Sequence, residues 1–140
     1  MMKIIIERSK PKAFVICPVR NVEVEFREHV EHEIEMLEDY YDVYYPARDT
    51  DQHDNIGVRI CMDNRDAIKR AKVVFVAWDG KSQGSLFDLG MAFAMKKKVR
   101  LLSDTLFPEK TEGKSFANMV REYSGANARR SELDSLEFPI

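Results

Sequence analysis

Cysteine is scarce in this chain: two thiols in 140 residues, Cys17 and Cys61, far apart and without a C-x-x-C pair. That supply excludes a disulfide framework and a zinc knuckle, and makes the reducing cytoplasm the expected compartment. Long apolar runs are also wanting. The longest, Val73 to Trp78, falls far short of the roughly 18 residues a spanning helix needs, so no membrane partner is expected. Lys3, Glu7, Arg8, Lys10 and Lys12 interrupt the N-terminus, which therefore does not read as a signal peptide. Nor is one charge in excess: 22 Lys and Arg against 24 Asp and Glu leave a formal net charge of −2. A phosphate-tracking domain normally carries a basic surplus, so no nucleic-acid polymer is expected as partner. A small anion held by one or two local cations remains compatible.

What is present fits one globular domain. Hydrophobic residues make up 44% and charged residues 33%, and no repeat, low-complexity tract or linker divides the chain. Short apolar runs rich in Val, Ile, Phe and Tyr read as strands: Ala13 to Val19, Tyr41 to Tyr45, Val73 to Trp78 and Val99 to Leu102. Ile4 to Ile6 reads either as an edge strand or as a hairpin arm. Helical periodicity fills the gaps. Phe26, Val30, Ile34 and Leu37 mark one stripe, with Asn21 as N-cap; Ile56, Ile60, Ala67, Ile68 and Ala71 mark a second. Leu86, Leu89 and Phe93 mark a third, and Phe116, Val120 and Tyr123 a fourth, which Gly125 is expected to stop. The alternation predicts an α/β domain over residues 1–125, a doubly wound, mostly parallel sheet of flavodoxin or Rossmann-like type with helices on both faces. Residues 126–140 form a loosely ordered tail on this reading.

Such sheets bind ligands outside the carboxyl ends of their strands, which picks out Cys17 to Asn21, Pro46 to Asp54, Asp79 to Asp88 and the stretch from Ser103 onward; the richest of these is the loop after the third strand. It reads Trp78-Asp79-Gly80-Lys81-Ser82-Gln83-Gly84-Ser85-Leu86-Phe87-Asp88-Leu89-Gly90. Glycines let backbone approach a ligand, and the free N–H groups of a helix start favour anionic oxygen. Asp88 is expected in the first helical turn. Locally it has two readings: the acidic half of a capping box begun by Ser85, or a carboxylate facing a ligand.

Gly84-Ser85-Leu86-Phe87-Asp88-Leu89-Gly90-Met91-Ala92 resembles the signature of the nucleoside 2-deoxyribosyltransferase family, Gly-Thr/Ser-x-x-Glu-x-Gly-x-Ala. The likeness extends back through Asp63-Asn64-Arg65-Asp66-Ala67-Ile68 and on through Lys98 to Leu102. The resemblance implies an enzyme of the N-glycosidic bond, a nucleoside or nucleotide as small-molecule partner, no cofactor, and Asp88 as the nucleophilic carboxylate. Here Asp stands where the family carries Glu, one methylene longer. Ser82 occupies a position where many transferases have Asp, and in this it is similar to the related deoxynucleoside 5′-monophosphate N-glycosidases, whose hydroxyls help hold the phosphate. By the same likeness Ser82, Gly84, Ser85 and Arg20 hold sugar or phosphate. Aligned on Ile68, a base-contacting position falls on Asn64, with Asp63 one residue away. Asn118 resembles a residue that reaches into a neighbouring subunit's site, which implies a homo-oligomer.

The chemistry suits a carboxylate. Breaking a nucleoside's C–N bond builds positive charge on the sugar, which a carboxylate beneath the anomeric carbon stabilises or captures. Water or a second base then resolves the intermediate, giving hydrolysis or transfer. Arg48 and Asp49, in the polar loop after Pro46, are further candidates at the sheet edge, and His53 shares that loop. His29 and His32 have helical ligand spacing but no further ligands, so no metal is expected. Gly80-Lys81-Ser82 and Gly113-Lys114-Ser115 lack the earlier glycine of a P-loop. Two alternatives stand beside the enzyme. One is a nucleotide-binding module without chemistry, favoured by the shorter acid. The other is a receiver domain phosphorylated on Asp79, disfavoured because Cys17-Pro18-Val19-Arg20 supplies no acid for magnesium.

Overall fold

The computed structural model describes residues 9–135, with residues 126–135 as helical backbone only. Four strands, β1 (Lys12–Ile16), β2 (Asp42–Tyr44), β3 (Val73–Val76) and β4 (Lys98–Leu101), form one parallel sheet in the order β2-β1-β3-β4. Their apolar runs are continuous because β1 and β3 are covered on both sides: Phe14, Val15, Ile16, Val74 and Val76 are all fully buried.

Five helices connect and cover the strands: α1 (Val24–Leu37), α2 (Pro46–Asp49), α3 (Val58–Arg70), α4 (Gln83–Ala94) and α5 (Phe116–Ser135). Residues Asp104–Leu106 add a 3-10 turn. On one face, Phe14, Ile16, Val74, Val76 and Val99 pack against Ala67 and Ile68 of α3, Leu89 and Ala92 of α4, and Val120 of α5. On the other, Val15, Cys17, Val43, Tyr45 and Ala77 pack against Val30 and Ile34 of α1. The protein has a flavodoxin/Rossmann-like α/β fold. The chain runs outward from β1 to β2, then returns past β1 to β3, so strand order reverses between β1 and β3. The loops leaving those two strands diverge to opposite faces, and the crevice between them is where this architecture binds ligands.

Several local expectations are corrected. Asn21 is not the cap of α1; it adopts a left-handed backbone (φ 55°), and Glu23 holds the cap position without a side-chain cap bond. Ile56 is 88% exposed and lies outside α3. The helix starts later because Asp54 takes the backbone N–H groups of Ile56 and Ile60, and Gly57 (φ 100°) makes the turn into it. The stretch after Tyr45 is not all loop. Pro46 supplies a ready-made helical φ, and Asp49 Oδ2 accepts the Tyr45 N–H at 2.8 Å, closing α2. Nor does Gly125 stop the last helix, which continues to Ser135. The run Ile4 to Ile6 lies outside the described residues.

Candidate active site

The approach to Asp88 is built by short-range hydrogen bonds. After β3, Asp79 Oδ1 accepts the N–H groups of Lys81 and Ser82, both at 2.9 Å, which folds the chain back around Gly80 (φ 79°). Trp78 Nε1 donates to the Ser82 carbonyl at 3.0 Å and anchors the far side of the turn. Ser82 then caps α4. Its Oγ accepts the Ser85 N–H at 3.2 Å and the Ser85 hydroxyl at 3.0 Å. Both lone pairs of Ser82 are thereby used, and its own proton remains to be donated outward.

This placement corrects the reading of Asp88. With Ser82 as cap, Ser85 is the third helical residue and Asp88 belongs to the second turn, so no Ser85–Asp88 capping box forms. Asp88 is 8% exposed, and its carboxyl has no hydrogen-bond or ion-pair partner among the described residues. Buried carboxylates are normally paired, so an unpaired one calls for a reason. Desolvation raises its pKa from 3.8 to about 7.

Asp88 stands at the reversal of strand order. Its charge reaches Cys17, at the end of β1, and Cys61, on α3. Burial and then Asp88 push the Cys17 thiol up to about 12; burial and then Asp88 also raise Cys61. The Tyr45 hydroxyl beside Cys17 is likewise pushed up to about 12, first by burial and then by Cys17 and Glu31. These groups stay protonated at neutral pH, which leaves Asp88 as the titrating group among them.

One turn beyond Cys61, Asn64 is buried on the same side of α3. Its Oδ1 accepts from Thr50 Oγ1 at 2.8 Å, and Thr50 lies 2.7 Å from the Tyr44 hydroxyl. At the start of α4, the backbone N–H groups of Gln83 and Gly84 have no acceptor among the described residues. Gly84 has ordinary helical backbone, and an added Cβ would meet only Ser82 Oγ, at 4.0 Å. Space is therefore open beside Gly84 at the turn where these N–H groups are free, as at helix starts that receive anionic oxygen.

The remaining expected residues are distributed unevenly. Arg20 leaves the carboxyl end of β1 exposed, with no hydrogen bond or ion pair among the described residues. Asp63 is half-exposed and paired with Arg59 at 2.6 Å. Arg48 is turned back along β2, to the Val43 carbonyl (2.9 Å), Glu38 (3.2 Å) and Asp49 (3.0 Å). Asp49 is occupied by Arg48 and by the Tyr45 N–H. Asn118 closes its own loop, accepting from the Thr111 N–H and donating to the Thr111 and Gly113 carbonyls. The structure thus places Ser82, Gly84, Ser85 and Asp88 together on the cap and first two turns of α4, with Asn64 one turn beyond Cys61, the α3 residue that the Asp88 charge reaches. It does not bring Arg48, Asp49 or Asn118 to them.

Two hollows lie elsewhere. One, of about 410 Å³, is lined by Lys12, Asp42, Tyr44 and Arg48 at the amino end of β1 and β2; the other, of about 1140 Å³, opens beside Phe116 and Met119. Neither is lined by Asp88. Among the described residues, no three His, Cys, Asp or Glu side chains are placed to share a metal ion, and no helix is long and apolar enough to cross a membrane.

Sequence reasoning missed Asp79, Thr50 and the two cysteines as neighbours of this site. The Asp-Gly pair at 79–80 was the readable signal for the turn. Nothing near Thr50 marks it as buried. Compared with known proteins, the chain matches no family model and no curated protein.

Proposed function

We propose that the protein acts on the N-glycosidic bond of 2-deoxynucleosides or their 5′-monophosphates, with Asp88 attacking the anomeric carbon. The observation that carries this reading is the buried Asp88 carboxyl, unpaired among the described residues, at the crevice where strand order reverses. The likeness of residues 84–92 to the 2-deoxyribosyltransferase signature supplies the substrate class. The ionised carboxylate attacks the sugar carbon; the C–N bond breaks, and its electron pair leaves with the base, which takes a proton from solvent. Water or a second base then displaces the carboxylate, completing hydrolysis or transfer. Ser82 donates to a sugar or phosphate oxygen, the Gln83 and Gly84 N–H groups receive its charge, and Arg20 adds a cation from the facing loop. Asn64 addresses the base.

The same pKa supports a second reading. A carboxyl group that is half protonated near pH 7 also serves as a neutral hydrogen-bond donor in a nucleotide-binding module without turnover. Ile56, Val58, Met62 and Phe87 are exposed large hydrophobic residues, and a homo-oligomer that covers such surface is part of the proposal. Two free cysteines suit a cytoplasmic setting. Incubation with the four common deoxynucleosides and their 5′-monophosphates separates the readings. Release of free base, or exchange of base between nucleosides, supports the enzyme; thermal stabilisation without either selects the binding module.

A further inference from the structure

A net charge of −2 conceals how the fold sorts its charges. Helix α1 carries five glutamates, whereas lysines gather where the chain enters β1, β3 and β4. Because the sheet is parallel, those three strand starts lie side by side at one end of it, away from the loop that leads to Asp88. Lys72 donates its N–H to the Lys12 carbonyl at 2.8 Å, and Val73 is in register with Lys98. Lys12, Lys72 and Lys98 therefore mark a line across three neighbouring strands, about 10 Å long. The Lys97 ammonium ties two of the approaches together, donating to the Lys69 and Ala71 carbonyls at 2.7 and 2.9 Å. Lys69, Arg70 and Lys96 stand beside the line. All six side chains other than Lys97 are exposed, and none has a hydrogen bond or ion pair among the described residues. Charges of one sign brought this close repel one another, and a polyanion relieves that repulsion.

An aromatic ring stands at the β4 end of the line. Phe93, in the last turn of α4, is 54% exposed; its ring meets that of Tyr123 at 5.2 Å between centroids, and the Tyr123 hydroxyl donates to the Lys97 carbonyl at 3.1 Å. At the other end the line stops: Asp42 of β2 is in register with Lys12, and Glu38 and Asp39 lie just before it. The shape of this patch selects its partner. A linear polyanion follows the lysines and lays an unstacked base on Phe93, whereas a flat anionic bilayer would be pressed onto the three acids. We infer that the amino end of the sheet binds single-stranded nucleic acid, with Lys12, Lys72 and Lys98 on its phosphates and Phe93 stacked on a base. The expectation of no nucleic-acid polymer rests on the total charge, which the fold distributes unevenly.

Fluorescence anisotropy with a labelled oligothymidylate of about 15 nucleotides, titrated at several salt concentrations, tests this. The logarithm of the binding constant should fall with the logarithm of salt at a slope of about −2 to −4, as about three to six neutralised phosphates give on a single strand. The combined Lys12→Gln, Lys72→Gln and Lys98→Gln variant should bind at least about tenfold more weakly at low salt and flatten the slope by about 2; the three Lys→Arg changes should preserve both. Phe93→Ala should weaken binding about fivefold or more, and Phe93→Tyr should not. Circular dichroism melts establish that each variant is folded. Absence of oligonucleotide binding by the wild type at low salt overturns the inference, as does unchanged affinity in the folded triple Gln variant or in folded Phe93→Ala. Binding to phosphatidylserine-rich vesicles but not to oligonucleotide assigns the patch to a membrane and overturns it too. So does self-association that the triple Gln variant loses while the wild type binds no oligonucleotide, which assigns the patch to α1 of a second copy. None of these outcomes bears on the function proposed for the other end of the sheet.

Discussion

The Ser82 hydroxyl accepts both the N–H and the hydroxyl of Ser85, at 3.2 and 3.0 Å, and in doing so relieves Asp88 of any part in capping α4. A carboxylate three residues after a serine at a helix start ordinarily folds back onto free backbone N–H groups. Here the serine one turn earlier has taken that role, so the acid lies a turn deeper, buried and unpaired among the described residues.

Its isolation has a thermodynamic signature. Holding the Asp88 carboxyl at about 7 against 3.8 disfavours its ionised form in the fold by about 4 kcal/mol. Between about pH 4 and pH 7 the unfolded chain has lost this proton while the folded chain keeps it. The folded state then binds more protons, so this contribution to stability falls as pH rises and is constant above about 7. Asp88→Asn should therefore be more stable than wild type at pH 8, by about 1–3 kcal/mol after allowing for the new amide's own unpaired donors. Urea unfolding at several pH values checks both the gain and the lost pH dependence.

Activity should run the opposite way. A nucleophilic carboxylate must be ionised, so kcat/KM should rise with pH through about 7 and level off above it. A profile that falls across the same range would identify Asp88 as a general acid instead of a nucleophile.

The turn before α4 should be stiff because Asp79 and Ser82 make it so. Ser82→Ala removes the cap and should lower stability by about 1 kcal/mol. Asp79→Ala removes two acceptor contacts and should cost about 1–2 kcal/mol. If the Ser82 proton and the nearby N–H groups hold a phosphate, both substitutions should also raise KM for the 5′-monophosphates more than for the nucleosides. Denaturation curves and paired kinetics read the two effects separately.

Most of the fold was legible because its signals are local and strong. Four β-branched and aromatic runs became four strands, the first three shorter than their runs and the fourth of equal length but starting one residue earlier. The stripe Val30 and Ile34 lies under α1 as its spacing implied. The site was less legible. Asp88, Ser82 and Ser85 were readable as a group, but their division of labour was not, since either serine suits a cap and only backbone geometry assigns it. The burial of Thr50 depends on Asn64, fourteen positions away, a distance that periodicity does not span. Arg48 and Asn118 look free in a sequence and prove to be tied to nearby carbonyls and carboxylates, partners that a spacing rule does not anticipate.

Arg121 is a further support that no motif announced. Its guanidinium donates to the Pro108 carbonyl (2.7 Å), the Phe107 carbonyl (3.2 Å) and Asp104 (2.6 Å), and it lies over the Phe107 ring, 5.4 Å from the centroid. The segment it pins accepts the Trp78 N–H at Leu106 and sets Pro108 against Gly80, so it backs the turn before α4. Arg121→Ala should lower stability by about 2–3 kcal/mol, and Arg121→Lys should recover little of it, because an ammonium does not reproduce the planar fork. Thermal melts of the two variants decide it.

Mass spectrometry of protein quenched during turnover of a deoxynucleoside 5′-monophosphate asks most directly whether Asp88 attacks the sugar. Attack by Asp88 should leave a deoxyribose 5-phosphate adduct on the peptide that contains Asp88, with neither adduct nor free base in folded Asp88→Ala. Free base released at the wild-type rate by Asp88→Ala, with no adduct at that peptide in the wild type, would contradict it.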